Sequence, residues 1–365
     1  MRKPILLLII LISAARDSQA QFYKYSNEFL AIGVGARALG MSGAVTATTS
    51  DVTSGYWNPA GLALMDKKFD LGLMHSEYFA GIAKYDYAGL ALPLQNKTLN
   101  RVLTFSLIRF GVDDIPNTLF LIEPDGSINY DNVTSFSVAD YAGMISYAQK
   151  LPVEGLRLGG TIKIIHRTAG DFASSWGLGL DAGIQYEKNN WRLGAMGKDI
   201  TTTFNAWSFN FTDEEKAIFA ETNNVIPENS IELTAPRLIM GGAYQFSWSK
   251  DKVTLLPEID LDWTFDGKRN TLLSTGVMSI DPRMGLEAGY KQTIFLRGGI
   301  GNFQHVTDID SSKSLTVQPN IGVGLRIKSV TIDYALTNLG DLSGSLYSHV
   351  FSVRVAIDER IKSGR

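Results

Sequence analysis

Cysteine is absent from the chain. That excludes disulfide frameworks, thiolate metal sites, a cysteine nucleophile and the N-terminal cysteine of a lipoprotein anchor. Histidine is scarce. His75, His166, His305 and His349 each lack a second histidine or a carboxylate at metal-ligand spacing on one element, so no metal site is expected. Excess positive charge is also missing. A net charge of −3 does not make the basic surface that nucleic acid requires, and no nucleic-acid partner is expected. Finally, no segment after the first residues approaches the ~20 apolar residues of a membrane helix. The 45 % hydrophobic content fits a soluble α/β protein or a membrane β-barrel, in whose strands apolar and polar positions average out.

The N-terminus is the first positive signal. Arg2 and Lys3 precede the apolar run Ile5–Ile12, and Ser18-Gln19-Ala20 offers small residues before a cut ahead of Gln21. The run is too short to span a bilayer, and the pattern is that of a cleaved signal peptide over residues 1–20. Export by this route leaves a barrel as the means of membrane insertion.

From Phe69 onward, period-two alternation dominates. Trp176, Leu178, Leu180, Ala182, Ile184 and Tyr186 share one face, opposite Ser175, Gly177, Gly179, Asp181, Gly183, Gln185 and Glu187. Leu156, Leu158, Ile162 and Ile164 oppose Arg157, Thr161, Lys163 and Arg167 in the same way. These strands are longer than the ordinary five or six residues, as tilted membrane-spanning strands must be. The pattern predicts an all-β, antiparallel transmembrane barrel of about 14 strands. Connections also alternate. Gln95–Asn100, Lys150–Glu154, Lys188–Asn189, Ser247–Asp251, Lys291–Gln292 and Lys328 are short. Gly111–Ser137, Lys198–Ala235, Phe265–Arg283, Gly301–Gln318 and Asn338–Ser348 are long, with the first connection near Phe79–Ile82 as the exception. Short turns on one side and long loops on the other are the habit of outer-membrane barrels.

The long loops carry apolar residues: Phe120 and Leu121 in one, and Phe204, Trp207, Phe209 and Phe211 in another. These form either a lid over the barrel mouth or a partner-facing surface. Thr212-Asp213-Glu214-Glu215 is a capping-box pattern that opens a short helix over Glu214–Glu221.

Ahead of the strands lies a glycine-rich stretch, Gly33–Ala63, with little periodicity, read as a helical plug inside the barrel. A helix is expected over Ala36–Ala47. Asn58-Pro59 reads as a helix start, with asparagine as cap and proline at the first position. Gly33-Val34-Gly35 with Gly40 lacks the preceding strand and the third glycine of a dinucleotide loop, and close backbone packing against the wall is the plainer account. The inward-facing charges include Arg157, Lys163, Arg167, Asp181, Glu187, Glu287, Arg297, Arg326, Asp333 and Arg354. Mixed signs argue for internal ion pairs holding a plug, with Arg37 and Asp51 as partners, rather than for an ion-selective pore. Asp113-Asp114 and Asp308-x-Asp310 lack the remainder of a calcium loop. No G-x-S-x-G elbow is present. No catalytic residue, cofactor or enzyme activity is expected.

The segments GARALGMSGAVTATTSDVTSGYWNPAGLA, HSEYFAGIAKYDYAG (His75–Gly89), RFGVDDIPNT (Arg109–Thr118), TTTFNAWSFN (Thr201–Asn210), TFDGKRNTL (Thr264–Leu272) and DYALTNLGD…YSHVFS (Asp333–Ser352) resemble the PorV/PorQ family of Bacteroidota outer-membrane proteins. That family is related to the FadL long-chain fatty-acid transporters. The resemblance implies a FadL-like barrel of fourteen strands with an N-terminal plug. It also implies an accessory role in type IX secretion, binding translocon proteins or the C-terminal domains of cargo. The deeper FadL relationship implies, as the alternative, a transporter of small hydrophobic molecules, and a scaffold barrel without ligand is a third reading. The expected organisation is a signal peptide (1–20), a plug (21–68), a barrel (69–357) in outer-membrane lipid and a periplasmic tail (358–365). Gly35, Arg37, Gly40, Asp51, Trp57, Asn58, Pro59, Ala60 and Gly61 are the candidate plug and gating residues.

Overall fold

The computed structural model describes residues 26–78, 81–94, 100–123, 125–307, 313–338 and 347–357. The expected leader, the plug residues before Ser26, the 358–365 tail and Asp308-x-Asp310 lie outside the described residues. Fourteen antiparallel strands close into a barrel. They are β1 (Phe69–Tyr78), β2 (Ala83–Leu94), β3 (Arg101–Asn117), β4 (Thr134–Lys150), β5 (Leu156–Ala169), β6 (Ala173–Lys188) and β7 (Trp191–Lys198). The second half comprises β8 (Arg237–Tyr244), β9 (Val253–Thr264), β10 (Ser279–Tyr290), β11 (Ile294–Thr307), β12 (Lys313–Ile327), β13 (Val330–Thr337) and β14 (Ser348–Ile357). Each pairs with its neighbour in sequence, and β1 pairs with β14 from Phe69↔Ile357 to Glu77↔His349. Closure leaves no free edge, as an apolar solvent demands.

Four shorter strands accompany the wall, one of them Leu273–Ser274 against Ser279 and Ile280 of β10. Thr203–Phe209 pairs with the upper part of β6 and with Ser230–Thr234, so the two extend β7 and β8 outward as a hairpin. Phe246–Trp248 continues β8 against the start of β9.

Alternation sorts the side chains as the sequence implies. Trp176, Leu178 and Ile184 of β6 face outward and are exposed, while Ser175, Asp181 and Gln185 are buried within. The outer apolar surface runs around the barrel through Leu73, Phe105, Leu107, Ile162, Ile164, Leu286, Leu296, Ile321 and Val353. A belt of this extent is stable in a bilayer and not in water. At the short-turn end, Trp191, Tyr244, Phe246 and Trp248 form a run of ring contacts at 4.8, 4.7 and 5.9 Å. Toward the opposite end, the His166 ring stacks on Trp176 at 4.2 Å. Amphipathic rings of this kind belong at the two membrane interfaces.

Loop sorting is less clean than the periodicity implies. β3 and β4 stay paired out to Asn117 and Thr134, and β11 and β12 out to Thr307 and Lys313. The long connections therefore shrink. Between β5 and β6, residues 170–172 form a short turn on that same side. Beyond the bilayer neither face of a hairpin needs to be apolar, so the alternating signal fades while the backbone ladder continues.

The plug occupies the lumen as four short pieces: a 3-10 turn at Glu28–Ala31, α1 (Ala36–Gly40), a helical turn at Ser54–Trp57 and a 3-10 helix at Pro59–Leu64. The helix expected over Ala36–Ala47 stops at Gly40, because Ser42 (φ 56°) and Gly43 (φ 77°) turn left-handed. Wall glycines make room for plug backbone. A Cβ on Gly40 would sit 3.1 Å from the Gly322 Cα, and one on Gly159 would collide with the Pro59–Ala60 peptide. Gly33 and Gly35 serve a different purpose, since their positive φ values (98° and 86°) suit glycine.

Gly159→Ala is therefore expected to lower the temperature at which the folded barrel converts to the slow-migrating form on SDS gels. Overpacking of this sort costs about 1–3 kcal/mol. Gly143→Ala is the matched control, because its nearest neighbour would be the Ile164 carbonyl oxygen at 4.0 Å, and it should leave that temperature unchanged.

Candidate functional site

The plug divides the lumen into two chambers. Apolar plug side chains such as Val34, Leu39 and Trp57 share a core with Met74, Tyr85 and Ile108 of the wall, and beside it run polar contacts positioned by strand alternation. Arg37 on α1 donates through Nε to Glu287 of β10 at 2.9 Å. Glu287 also receives Arg297 of β11 at 2.7 Å, and Arg297 reaches Asp333 of β13 at 2.7 Å. On the other side, Arg354 of β14 pairs with Asp70 of β1 at 2.8 Å and lies 3.8 Å from Asp51 of the plug. Asp51 accepts from the Thr53 amide at 2.9 Å and the Thr53 hydroxyl at 2.5 Å. Burial works to raise the Asp51 carboxyl, but Arg354, Thr53 and Arg37 outweigh it and hold the group below the usual carboxylate range.

Asn58 is fully buried and joins plug to wall. Its Nδ2 donates to the Thr46 carbonyl at 2.9 Å and to the Ile184 carbonyl of β6 at 3.2 Å, while Oδ1 accepts the Ala60 amide at 3.2 Å. Pro59 at the first helical position lacks the amide that would otherwise go unpaired. Trp57 donates Nε1 to the Val34 carbonyl at 2.8 Å and packs edge-on to Tyr56 at 4.9 Å. Lys198, at the end of β7, sits 3.9 Å over the Tyr56 ring. Ala60 and Gly61 are buried in the same turn.

Two further wall residues hold the plug, and periodicity alone did not single them out. Glu258 accepts the Ala47 amide at 2.7 Å and the Thr48 hydroxyl, and Asp260 accepts the amides of Val45 and Thr46 at 3.1 and 3.0 Å. The available signal was Glu258, Asp260 and Asp262 at alternate positions in an apolar strand, which puts three acids on one lumen face. Asp262 instead holds Arg237 and Arg283.

The outer chamber, at the long-loop end, has a volume of about 890 Å3. Phe29, Ile32, Leu39, Trp57, Tyr78 and Phe110 make an apolar flank, and Asn270, Asn302, Gln304, Gln318 and Asn320 contribute amides. Its four arginines (Arg167, Arg237, Arg269, Arg283) are matched by four acids (Glu28, Asp140, Asp262, Asp281) among the described lining residues. The inner chamber, at the short-turn end, holds about 670 Å3. Between plug and wall, the gaps lined by Arg37 and Asp51 and by Lys163 and Lys198 are about 30 Å3 each, room for a water molecule and little more.

The outer-loop aromatics do not gather into one surface. Phe204, Trp207 and Phe209 lie on a strand and not in a loop, so alternation splits them. Phe204 faces outward beside Leu178, its cross-strand partner. Trp207, Phe209 and Phe211 stack in sequence at 6.2 Å spacing, with Phe172 and Phe219 against Phe211 at 6.1 and 5.1 Å. The Arg167 guanidinium lies 5.0 Å from the Trp207 ring and 5.9 Å from Phe29, which links this ladder to the chamber. Phe120 and Leu121 sit on the separate loop between β3 and β4, with no ring contact to the ladder among the described residues. The helix capped by Thr212 and Glu215 is formed over Asp213–Glu221.

No family model matches the chain, and no curated protein matches it. Solved structures do. The CymD monoaromatic hydrocarbon channel aligns over 90 % of this chain and 98 % of its own, with a TM-score of 0.56 at 12 % identity. The Ralstonia pickettii toluene transporter TbuX covers 89 % and 98 % with a TM-score of 0.54 at 14 % identity. A Pseudomonas aeruginosa FadL homologue covers the same shares with a TM-score of 0.52 at 13 % identity. The fold is that of the FadL-like outer-membrane barrels. The PorV/PorQ resemblance finds no support in these comparisons.

Because the Asp51 carboxyl is held below its ordinary value, its contribution to plug anchoring is complete above pH ~4 and is lost as the pH falls through the lower folded value. The part of the plug's protection from protease that depends on Asp51, read as the difference between wild type and Asp51→Asn, should thus stay constant from pH 8 to about 4 and shrink below it. Asp51→Asn should raise accessibility at neutral pH.

Proposed function

We propose that the protein is an outer-membrane barrel for the uptake of small hydrophobic molecules, closed in this conformation by its N-terminal plug. The carrying observation is the outer chamber with an apolar flank, bordered at Arg167 by the Trp207–Phe209–Phe211 ladder. Half-exposed stacked rings at the mouth capture apolar solutes from water, and the chamber floor is plug, so passage requires the plug to shift. The solved barrels of this shape include a monoaromatic hydrocarbon channel and toluene transporters, which supports the choice of ligand class. In this reading residues 1–20 direct export, and Arg37, Asp51 and Asn58 are the contacts that set the cost of plug movement.

A second reading rests on the sequence resemblance: the same projecting hairpin, with Trp207 and Phe209 half-exposed, contacts a protein partner of type IX secretion. Deleting the gene separates the two. Unchanged surface display of cargo carrying C-terminal sorting domains would end the secretion reading.

For uptake, toluene accumulation by cells expressing the barrel is the measurement. Trp207→Ala with Phe209→Ala is expected to reduce it roughly 2- to 10-fold, the scale of an aromatic contact or two. Accumulation identical with and without the barrel would refute the proposal.

A further inference from the structure

The two chambers differ in electrical character. Among the described residues the outer one is balanced, four cations against four acids. Among the described residues the inner one is lined by five cations, Lys67, Arg192, Arg326, Lys328 and Arg354, opposed by Asp66 and Glu187. Pairing does not remove the excess. Arg354 is engaged by Asp70 and Asp51. Glu187 is shared, taking Arg157 at 3.0 Å and Arg192 at 3.5 Å, while Arg192 also donates to Gln245. Arg326 and Lys328 have no carboxylate within ion-pair distance among the described residues. Both are exposed to the chamber. The Arg326 guanidinium is braced 5.1 Å over the Phe295 ring, which leaves its N–H fork free to donate.

We propose that this inner chamber binds a small oxyanion, a molecule carrying carboxylate or phosphate groups, with Arg326 as the principal contact and Lys328 and Arg192 beside it. A guanidinium donates two parallel hydrogen bonds to such a group, and a cleft with low-dielectric walls and an excess of one sign concentrates the opposite charge. The inference rests on charge and geometry at the short-turn end, so it stands or falls independently of the uptake role. The oxyanion has two candidate sources, a soluble periplasmic molecule or the headgroup of an anionic lipid.

Calorimetric titration of the full chain in zwitterionic detergent tests it with three probes: pyrophosphate, suberate and dihexanoyl phosphatidylglycerol. Saturable binding that weakens with salt and about tenfold or more in Arg326→Gln is expected. Binding of pyrophosphate or suberate assigns a soluble ligand, and binding of the short-chain lipid alone assigns a headgroup. Arg326 is exposed, so the variant should fold, and its heat-modifiable migration on SDS gels verifies this. Saturable binding of none of the probes, or binding indifferent to Arg326→Gln, overturns the proposal.

Discussion

A carboxylate sealed inside a protein must find hydrogen-bond donors, and Glu258 and Asp260 find theirs on the backbone of the plug. The two side chains project from one face of β9 with no cation within ion-pair distance among the described residues. Four plug groups, the amides of Val45, Thr46 and Ala47 and the hydroxyl of Thr48, supply the donors. A buried acid group left without hydrogen-bond partners is costly, so these plug donors are part of what makes the wall's interior stable. Barrel and plug are therefore one folding unit rather than a cylinder with a removable stopper. The wall glycines at 159 and 322 make the same point sterically, because their missing side chains have a purpose only when plug backbone is present.

The apolar belt and the charged lumen follow from one rule applied in two solvents. Outward positions meet lipid, which asks for apolar side chains and a closed backbone ladder. Inward positions meet the plug and two chambers with polar linings, and carry ion pairs such as Arg37–Glu287–Arg297–Asp333. The outer chamber combines neutralised charge with an apolar flank, and the inner one keeps an excess of cations. A single lumen thus offers two chemically distinct environments separated by the tightly held plug.

Much of this fold is legible in the sequence because period-two alternation has a single cause in a membrane barrel. Outward Trp176, Leu178 and Ile184 and inward Asp181 and Gln185 mark β6 without any knowledge of its neighbours. The strand starts at Phe69, Ala83 and Arg101 can be read for the same reason. Legibility ends where the bilayer ends. β3 and β4 run on through Asn117 and Thr134 with no lipid to impose a pattern, and Phe204 and Trp207 look like loop residues although they lie on a strand. Inside the plug, Asn58-Pro59 is readable because capping is local, whereas the stop at Ser42-Gly43 depends on tertiary contacts. The carboxylate clamp of Glu258 and Asp260 is visible only as an odd run of acids in an apolar strand, since its partners are backbone amides that no side-chain pattern reveals. The PorV/PorQ resemblance implies a FadL-like barrel, which the structure has, and a secretion role that the comparisons do not support.

Arg354 joins three parts of the chain that are far apart in sequence: it belongs to β14, salt-bridges Asp70 of β1 across the closing seam, and approaches Asp51 of the plug. During synthesis Asp51 and Asp70 emerge long before their cation does. Until β14 docks, two acids at the seam remain unneutralised and the plug is held on that side only by β1 and β2, through Asp70 and Tyr87. The seam thus works as a checkpoint on completeness: a barrel truncated before its last strand lacks the residue that locks the first strand and the plug together, and it presents the cell with an unlatched, protease-accessible interior.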